Sequence, residues 1–170
     1  VRGARGFGGF GAYLLCVTAK NIAAWNNRRS PDNKLNTPPL DATCVYGGVR
    51  AVYNMGTLYS GSPFHSPNYN GPIGVALCDY ILHFPSDDLF LGQGDFVLAT
   101  IGNIGSDNTM QREQASFWIL RKLGVPFDHR RYIHVIINGV RRIAGSNAVY
   151  EDAQQPNSDL VNEFFPNDDK

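Results

Sequence analysis

The chain has 170 residues, 43% of them apolar, with 10 Phe, 8 Tyr and 2 Trp. That is the length of one domain, with enough apolar matter for a core that hides about 70% of the unfolded surface. Fifteen Lys and Arg balance fifteen Asp and Glu, so the basic surplus of a protein that grips nucleic acid through its phosphates is missing. No run approaches the ~18 apolar residues of a membrane-spanning helix, so neither nucleic acid nor a membrane span is expected among its partners.

Eighteen Gly and 10 Pro point to turns and short strands rather than a helix bundle. The three cysteines form no CxxC pair and no His stands at zinc-finger spacing, which argues against a structural zinc site and against a disulfide framework. The chain begins at Val1 without an initiator Met and ends at Lys170 without an obvious closing element. It reads as a processed product or a piece of something longer.

Residues 1–12 are Gly- and Arg-rich and read as a loose terminus ahead of a single α+β domain over 13–170. Residues 13–18 are an apolar, β-prone run, and 19–27 suit a short helix with Ile22, Ala23 and Trp25 on its apolar side. A polar, Pro-rich loop follows over 28–41. Strands are expected over 43–46 and 49–54 around Gly47-Gly48, a pair suited to a tight hairpin. Residues 56–74 form a long irregular segment, a length at which loops tend to carry function. Residues 76–84 alternate as a strand with Tyr80, Leu82 and Phe84 on one face, and 96–101 is another strand.

The clearest helix covers 109–123. Asn108 and Gln111 suit a capping box, Phe117, Leu120 and Leu123 form a stripe, and Gly124 and Pro126 end it. Phe117 and Trp118 are expected in the core. Asn138-Gly139 between two apolar runs is the strongest hairpin signal in the chain, and 149–151 reads as a short strand. The expected class is α+β, mostly antiparallel strands with one principal helix.

The isolated motifs are weak. Gly6 to Gly11 fits GxGxxG, but no strand can precede it, so it reads as part of the loose terminus. His65, His83, His129 and His134 are scattered. Asp87, Asp88 and Asp95 lack a calcium-loop pattern. No catalytic constellation and no metal-ligand set stands out. Charge is segregated: 121–142 is basic and 150–170 acidic. The basic half could hold nucleotide phosphates through Arg, or the two halves could neutralise one another as neighbouring faces.

The order of segments says more. Gln111-Arg112-Glu113 through Leu123-Gly124-Val125-Pro126, then Arg130-Arg131-Tyr132, then Val135-Ile136-Ile137-Asn138-Gly139, then Val149-Tyr150-Glu151 resembles the spore-coat-protein-H (CotH) kinase family. Upstream, Val17 to Trp25, Val49-Arg50 to Gly61-Ser62 and Tyr80 to Phe84 fit the same order, so the likeness covers about 13–165.

The resemblance implies an atypical protein-kinase-like fold, of which this chain would be the N-terminal lobe. It also implies a secreted or cell- or spore-surface setting, and transfer of phosphate from ATP with magnesium to Ser or Thr of a protein substrate, such as a coat or surface protein. Helix 109–123 would then be the regulatory helix. Its Glu113 would partner a phosphate-binding cation, and Glu151 would lie near the adenine. Arg50 and Arg131 would complete the nucleotide-binding set, with Arg50 replacing a Lys that the family commonly has and that 76–79 lacks. The family's catalytic and metal-binding Asn/Asp motifs do not occur here, so the 170 residues alone are not expected to be a competent kinase. The rival expectation is a non-catalytic structural or adhesive module that contacts protein or glycan through Tyr59, Phe64 and Tyr69 on the loop 60–74.

Overall fold

The fold is taken from a computed structural model, which describes residues 10–27, 38–60, 79–100, 107, 109–142 and 149–167. The first strand, β1 (Gly11–Val17), buries Tyr13, Leu15 and Val17 and turns Cys16 to solvent, the period-two pattern of a half-buried strand. Thr18 ends it and caps the next element: its Oγ1 accepts the Asn21 N–H at 3.2 Å, opening α1 (Ala19–Asn27) as an N-cap residue does. Strands β2 (Leu40–Tyr46) and β3 (Arg50–Ser60) follow. The turn between them uses Gly47 and Gly48 at φ 59° and 71°, a left-handed backbone that glycine adopts without penalty.

Next come β4 (Asp79–His83), β5 (Asp95–Thr100) and α2 (Arg112–Leu123). The chain continues through β6 (Arg130–Ile137), β7 (Val140–Arg141), β8 (Tyr150–Gln154) and α3 (Ser158–Phe164). The Asn138-Gly139 signal holds: the two residues sit at φ 49° and 81° between β6 and β7. The alternation in β4 holds as well, with Tyr80, Leu82 and Phe84 all buried.

The expected class does not hold. The strands pair in the order β1-β2-β3-β4-β5-β8-β6, and β6 returns to β1. Seven strands therefore close into a mixed β-barrel, with β7 as a short extension on β6. Every pairing is antiparallel except the closing one, where β1 and β6 run parallel from Gly11↔Ile133 to Leu15↔Ile137. The α+β arrangement with a principal helix, and with it the kinase-type N-terminal lobe, is overturned. A sheet closed on itself supplies its own second layer and needs no helix to bury its inner face.

The helices are accordingly peripheral. In α2 no residue is fully buried, and Trp118 and Leu123 are 60% and 69% exposed, so the expected core role of Trp118 fails. The helix begins at Arg112, not 109, and its N-cap Gln111 makes no side-chain bond. Asp107 takes that part instead, accepting the Arg112 N–H at 2.8 Å. Asn108, expected in the cap, lies outside the described residues. Further boundaries move: β2 begins at Leu40, inside the loop expected over 28–41, β3 continues to Ser60 where irregular chain was expected, and α3 closes a C-terminal region in which no element was expected.

Inside the barrel, Leu15, Cys44, Met55, Leu82, Leu98, Ile133, Val135 and Ile137 form a buried core, each large aliphatic side chain contributing about 1.5–3 kcal/mol. Burial pushes the Cys44 thiol up to about 12. The mouth at the start of β1 is plugged by rings. Phe90 stacks on Phe84 at 5.1 Å and lies 5.1 Å from Tyr46, which in turn lies 4.9 Å from Tyr13.

At the seam, Asn138 extends the closing ladder beyond its last backbone pair. Its N–H donates to Leu15 O at 2.9 Å. Its side-chain amide accepts from Val17 N and donates to Val17 O, both at 2.8 Å. Among the described residues no helix is long and apolar enough to cross a membrane.

Candidate functional site

A cavity of about 550 Å³ opens at the plugged mouth, between the loop joining β4 to β5, the end of β8 and helix α3. That volume lies within the range of small-molecule sites, which often occupy the mouths of β-barrels. Three local features build its walls. The first is the turn 90–93. Phe90 and Gln93 exchange backbone hydrogen bonds at 3.0 and 3.1 Å, with Leu91 at φ 54° and Gly92 at φ 79° between them. Both central residues are left-handed, as a two-residue hairpin requires, yet one is leucine rather than Asn, Asp or Gly. This costs about 1–2 kcal/mol at Leu91, and strain of that kind gathers at functional sites.

The second feature is α3. Asn157 caps it, its Oδ1 accepting from Asp159 N at 3.0 Å and Leu160 N at 3.4 Å. The helix then presents Asp159 and Glu163. Asp159 Oδ2 accepts the Gly94 N–H at 2.9 Å. Glu163 takes His129 Nε2 at 2.7 Å and the Gln154 amide at 2.9 Å, and these bonds hold its carboxyl below the usual range, the Gln154 bond foremost. The third feature is the Arg131–Asp152 pair, directly cross-strand between β6 and β8. Arg131 donates to Asp152 from its backbone N–H at 3.0 Å and through its guanidinium. Asp152, 1% exposed, also accepts the Tyr13 hydroxyl at 2.9 Å. Burial raises the Asp152 carboxyl, opposed by these bonds, and burial likewise raises the Tyr13 phenol.

Gln93 is the unsatisfied member of the wall. The residue is 8% exposed, and its Oε1 is buried with no hydrogen-bond partner among the described residues. A buried carbonyl without a donor costs about 1–3 kcal/mol. With Asp152, Asp159 and Glu163 against Arg131 and the His129 that binds Glu163, carboxylates predominate in the lining. It is rich in acceptors and asks for donors.

The four residues implied by the kinase likeness divide between two places. Glu113 and Glu151 come together on the outside of the barrel, under α2. Arg130 joins them, reaching Glu113 at 2.7 Å and Glu151 at 3.3 Å and lying over the Phe117 ring at 4.5 Å. Glu151 is fully buried and also accepts the Gln114 amide. Burial is the main cause that raises its carboxyl, with Glu113 adding to it and Gln114 and Arg130 opposing.

Arg50 and Arg131 lie at the mouth instead. Arg50 pairs with Asp88 at 2.7 Å and lies over Phe90, while Arg131 lies over Tyr46. Alternation along β6 and β8 explains the division: Arg130 and Glu151 point outward, Arg131 and Asp152 toward the mouth.

The charge segregation resolves into pairing, since Arg130–Glu151, Arg131–Asp152 and His129–Glu163 all join the basic segment to the acidic one. Asp95 meets His83, and Asp88 serves Arg50. Gly6 to Gly9, His65 and the contact loop 61–74 lie outside the described residues. Sequence reasoning passed over Gln93, Asp159 and Glu163. The only local signals were the glycines flanking Gln93 and the Asn157-Ser158-Asp159 start of a helix. Among the described residues no three His, Cys, Asp or Glu side chains gather as a metal site. No family model matches the chain, and no curated protein matches it.

Proposed function

We propose that the chain is a non-catalytic binding module whose barrel mouth seats a donor-rich polar ligand, an amino-sugar-bearing glycan, in a secreted or surface setting. The observation that carries this reading is Gln93 Oε1, a buried acceptor without a donor among the described residues, in the wall of an acidic pocket. Hydroxyl groups satisfy acceptors of this kind, and an ammonium group gains from Asp159 and Glu163. A polyphosphate meets repulsion from the same acids.

The test is calorimetric titration of the protein with glucosamine oligomers. Binding should weaken about tenfold in Gln93→Leu, the worth of one hydrogen bond of about 1.4 kcal/mol. It should weaken again in Asp159→Asn. No heat with these oligomers, or equal heat in both variants, would sink the reading.

A second reading keeps only the activity that the CotH likeness implies, on a barrel rather than a kinase lobe: transfer of phosphate from ATP, with magnesium, to Ser or Thr of a surface or coat protein. It is supported by one contact, the ion pair between Glu113 in the first turn of α2 and Arg130 on a strand. The likeness implies a helix acid bound to a cation, with Arg50 in place of Lys; Arg50 lies at the mouth instead, and it is Arg130 that stands beside Glu113. Binding of ATP with magnesium that Glu113→Ala weakens, and that Gln93→Leu leaves alone, would favour this reading over the first.

A further inference from the structure

Arg142 follows β7, and its N–H donates to Val135 O at 2.8 Å, which extends the β6–β7 ladder by one pair beyond Ile136↔Arg141. Residues opposite one another in an antiparallel ladder share a face, and Val135 is wholly buried in the barrel core. The Arg142 side chain therefore turns inward, and the residue is 4% exposed. On the same edge of β6, Tyr150 stands opposite Ile133. Arg142 and Tyr150 are thus consecutive inward positions, about 7 Å apart along the strand direction. The register neighbours of Arg142 are Val135, Ile133, Ile137 and Tyr150, and none carries a negative charge.

This guanidinium differs from those at the mouth and under α2. Arg50, Arg130 and Arg131 each meet a carboxylate. Among the described residues the Arg142 Nε is buried without a hydrogen-bond partner, and no ion pair reaches the side chain. A guanidinium cannot shed its charge by losing a proton, and a buried charge without a counter-charge is strongly unfavourable. A planar fork of N–H donors in an otherwise apolar setting matches the two oxygens of an oxyanion.

We propose that Arg142 anchors an oxyanion site beside the β6–β7 hairpin, taking a single phosphate or carboxylate group. The site is separate from the ligand pocket and does not depend on that reading. The test is thermal unfolding of the full chain in chloride, inorganic phosphate and acetate at equal ionic strength. The midpoint should rise by a few degrees, saturably, with an oxyanion and not with chloride. Whether phosphate or acetate gives the larger rise identifies the group.

Arg142→Met should lose the oxyanion response and unfold in chloride no lower than the unaltered chain. Arg142→Lys, which keeps the charge but not the fork, should fold and keep only a small part of the response. An unaltered chain indifferent to both oxyanions would overturn the proposal. So would an Arg142→Lys chain that responds in full. A large loss of stability in Arg142→Met in chloride, with no oxyanion response in the unaltered chain, would mean that a carboxylate of the chain itself is the partner.

Discussion

Asn138 is the residue at which closure of the barrel can be tested one interaction at a time. It sits at φ 49° in the β6–β7 turn and gives its side-chain amide to both backbone groups of Val17. Asn138→Gly keeps the left-handed backbone at no steric cost and deletes only the two side-chain bonds. Each is partly solvated, so the loss is about 0.5–1 kcal/mol per bond, or about 1–2 kcal/mol together. Asn138→Ala deletes the same bonds and adds a Cβ at positive φ, for about 1 kcal/mol more.

At this chain length each kcal/mol lowers the melting midpoint by about 2–4 °C. The glycine variant should therefore melt a few degrees low and the alanine variant lower again. Urea titration with far-ultraviolet circular dichroism gives both values, with unchanged m-values as the control for a common unfolded state. The amide of Val17 should also lose hydrogen-exchange protection in both variants. If Asn138→Gly is as stable as the unaltered chain and Val17 keeps its protection, the seam is not where the structure places it.

Other consequences can be checked separately. A double-mutant cycle on Arg131→Met and Asp152→Asn should give a coupling of about 1–3 kcal/mol, because Asp152 is buried while Arg131 is half exposed; additivity within 0.5 kcal/mol would dismiss the pair as a clamp of the mouth. Glu151 has its carboxyl raised in the folded state, mainly by burial, so the folded chain holds that proton more tightly than the unfolded one. Its contribution is therefore most favourable below the unfolded carboxylate value and is lost as pH rises through the raised folded value. Glu151→Gln should flatten that part of the stability–pH curve, and a curve parallel to that of the unaltered chain would contradict the assignment. Trp118→Ala on the exposed face of α2 should change stability by less than about 0.5 kcal/mol, whereas Leu82→Ala inside the barrel should cost about 2–5 kcal/mol. The reverse order in urea unfolding would restore the helix to the core.

Much of the local structure is legible in the sequence because its causes are local. The Asn138-Gly139 turn, the alternation of Tyr80, Leu82 and Phe84, and the short helix after Thr18 each depend on residues a few positions apart. The closing pair is different. β1 and β6 meet in parallel across more than a hundred residues, and neither strand carries a signal that names its partner.

That one missing contact explains the error in class. An open sheet needs a covering helix, and the stripe Phe117, Leu120, Leu123 has the spacing for that role. Once the sheet closes, the helix is held by polar ties such as Gln114–Glu151 and Glu113–Arg130, and Trp118, Ile119 and Leu123 stay at the surface. The pocket was illegible for a related reason. Gln93, Asp152 and Glu163 come from three separate segments, and only register and the placement of α3 bring them together. Which of two neighbouring charges faces the pocket is decided by strand parity, which turns Arg131 and Asp152 to the mouth and Arg130 and Glu151 away from it.

The measurement that tests the functional account most directly is a set of amide chemical-shift maps recorded as a glucosamine oligomer is added. Binding at the mouth predicts saturable shifts at Gly92, Gln93, Gly94 and Asp159, with little change at Gln114 and Glu151. No shifts at the mouth, or shifts centred on Glu113 and Glu151 when ATP and magnesium are added instead, would contradict it.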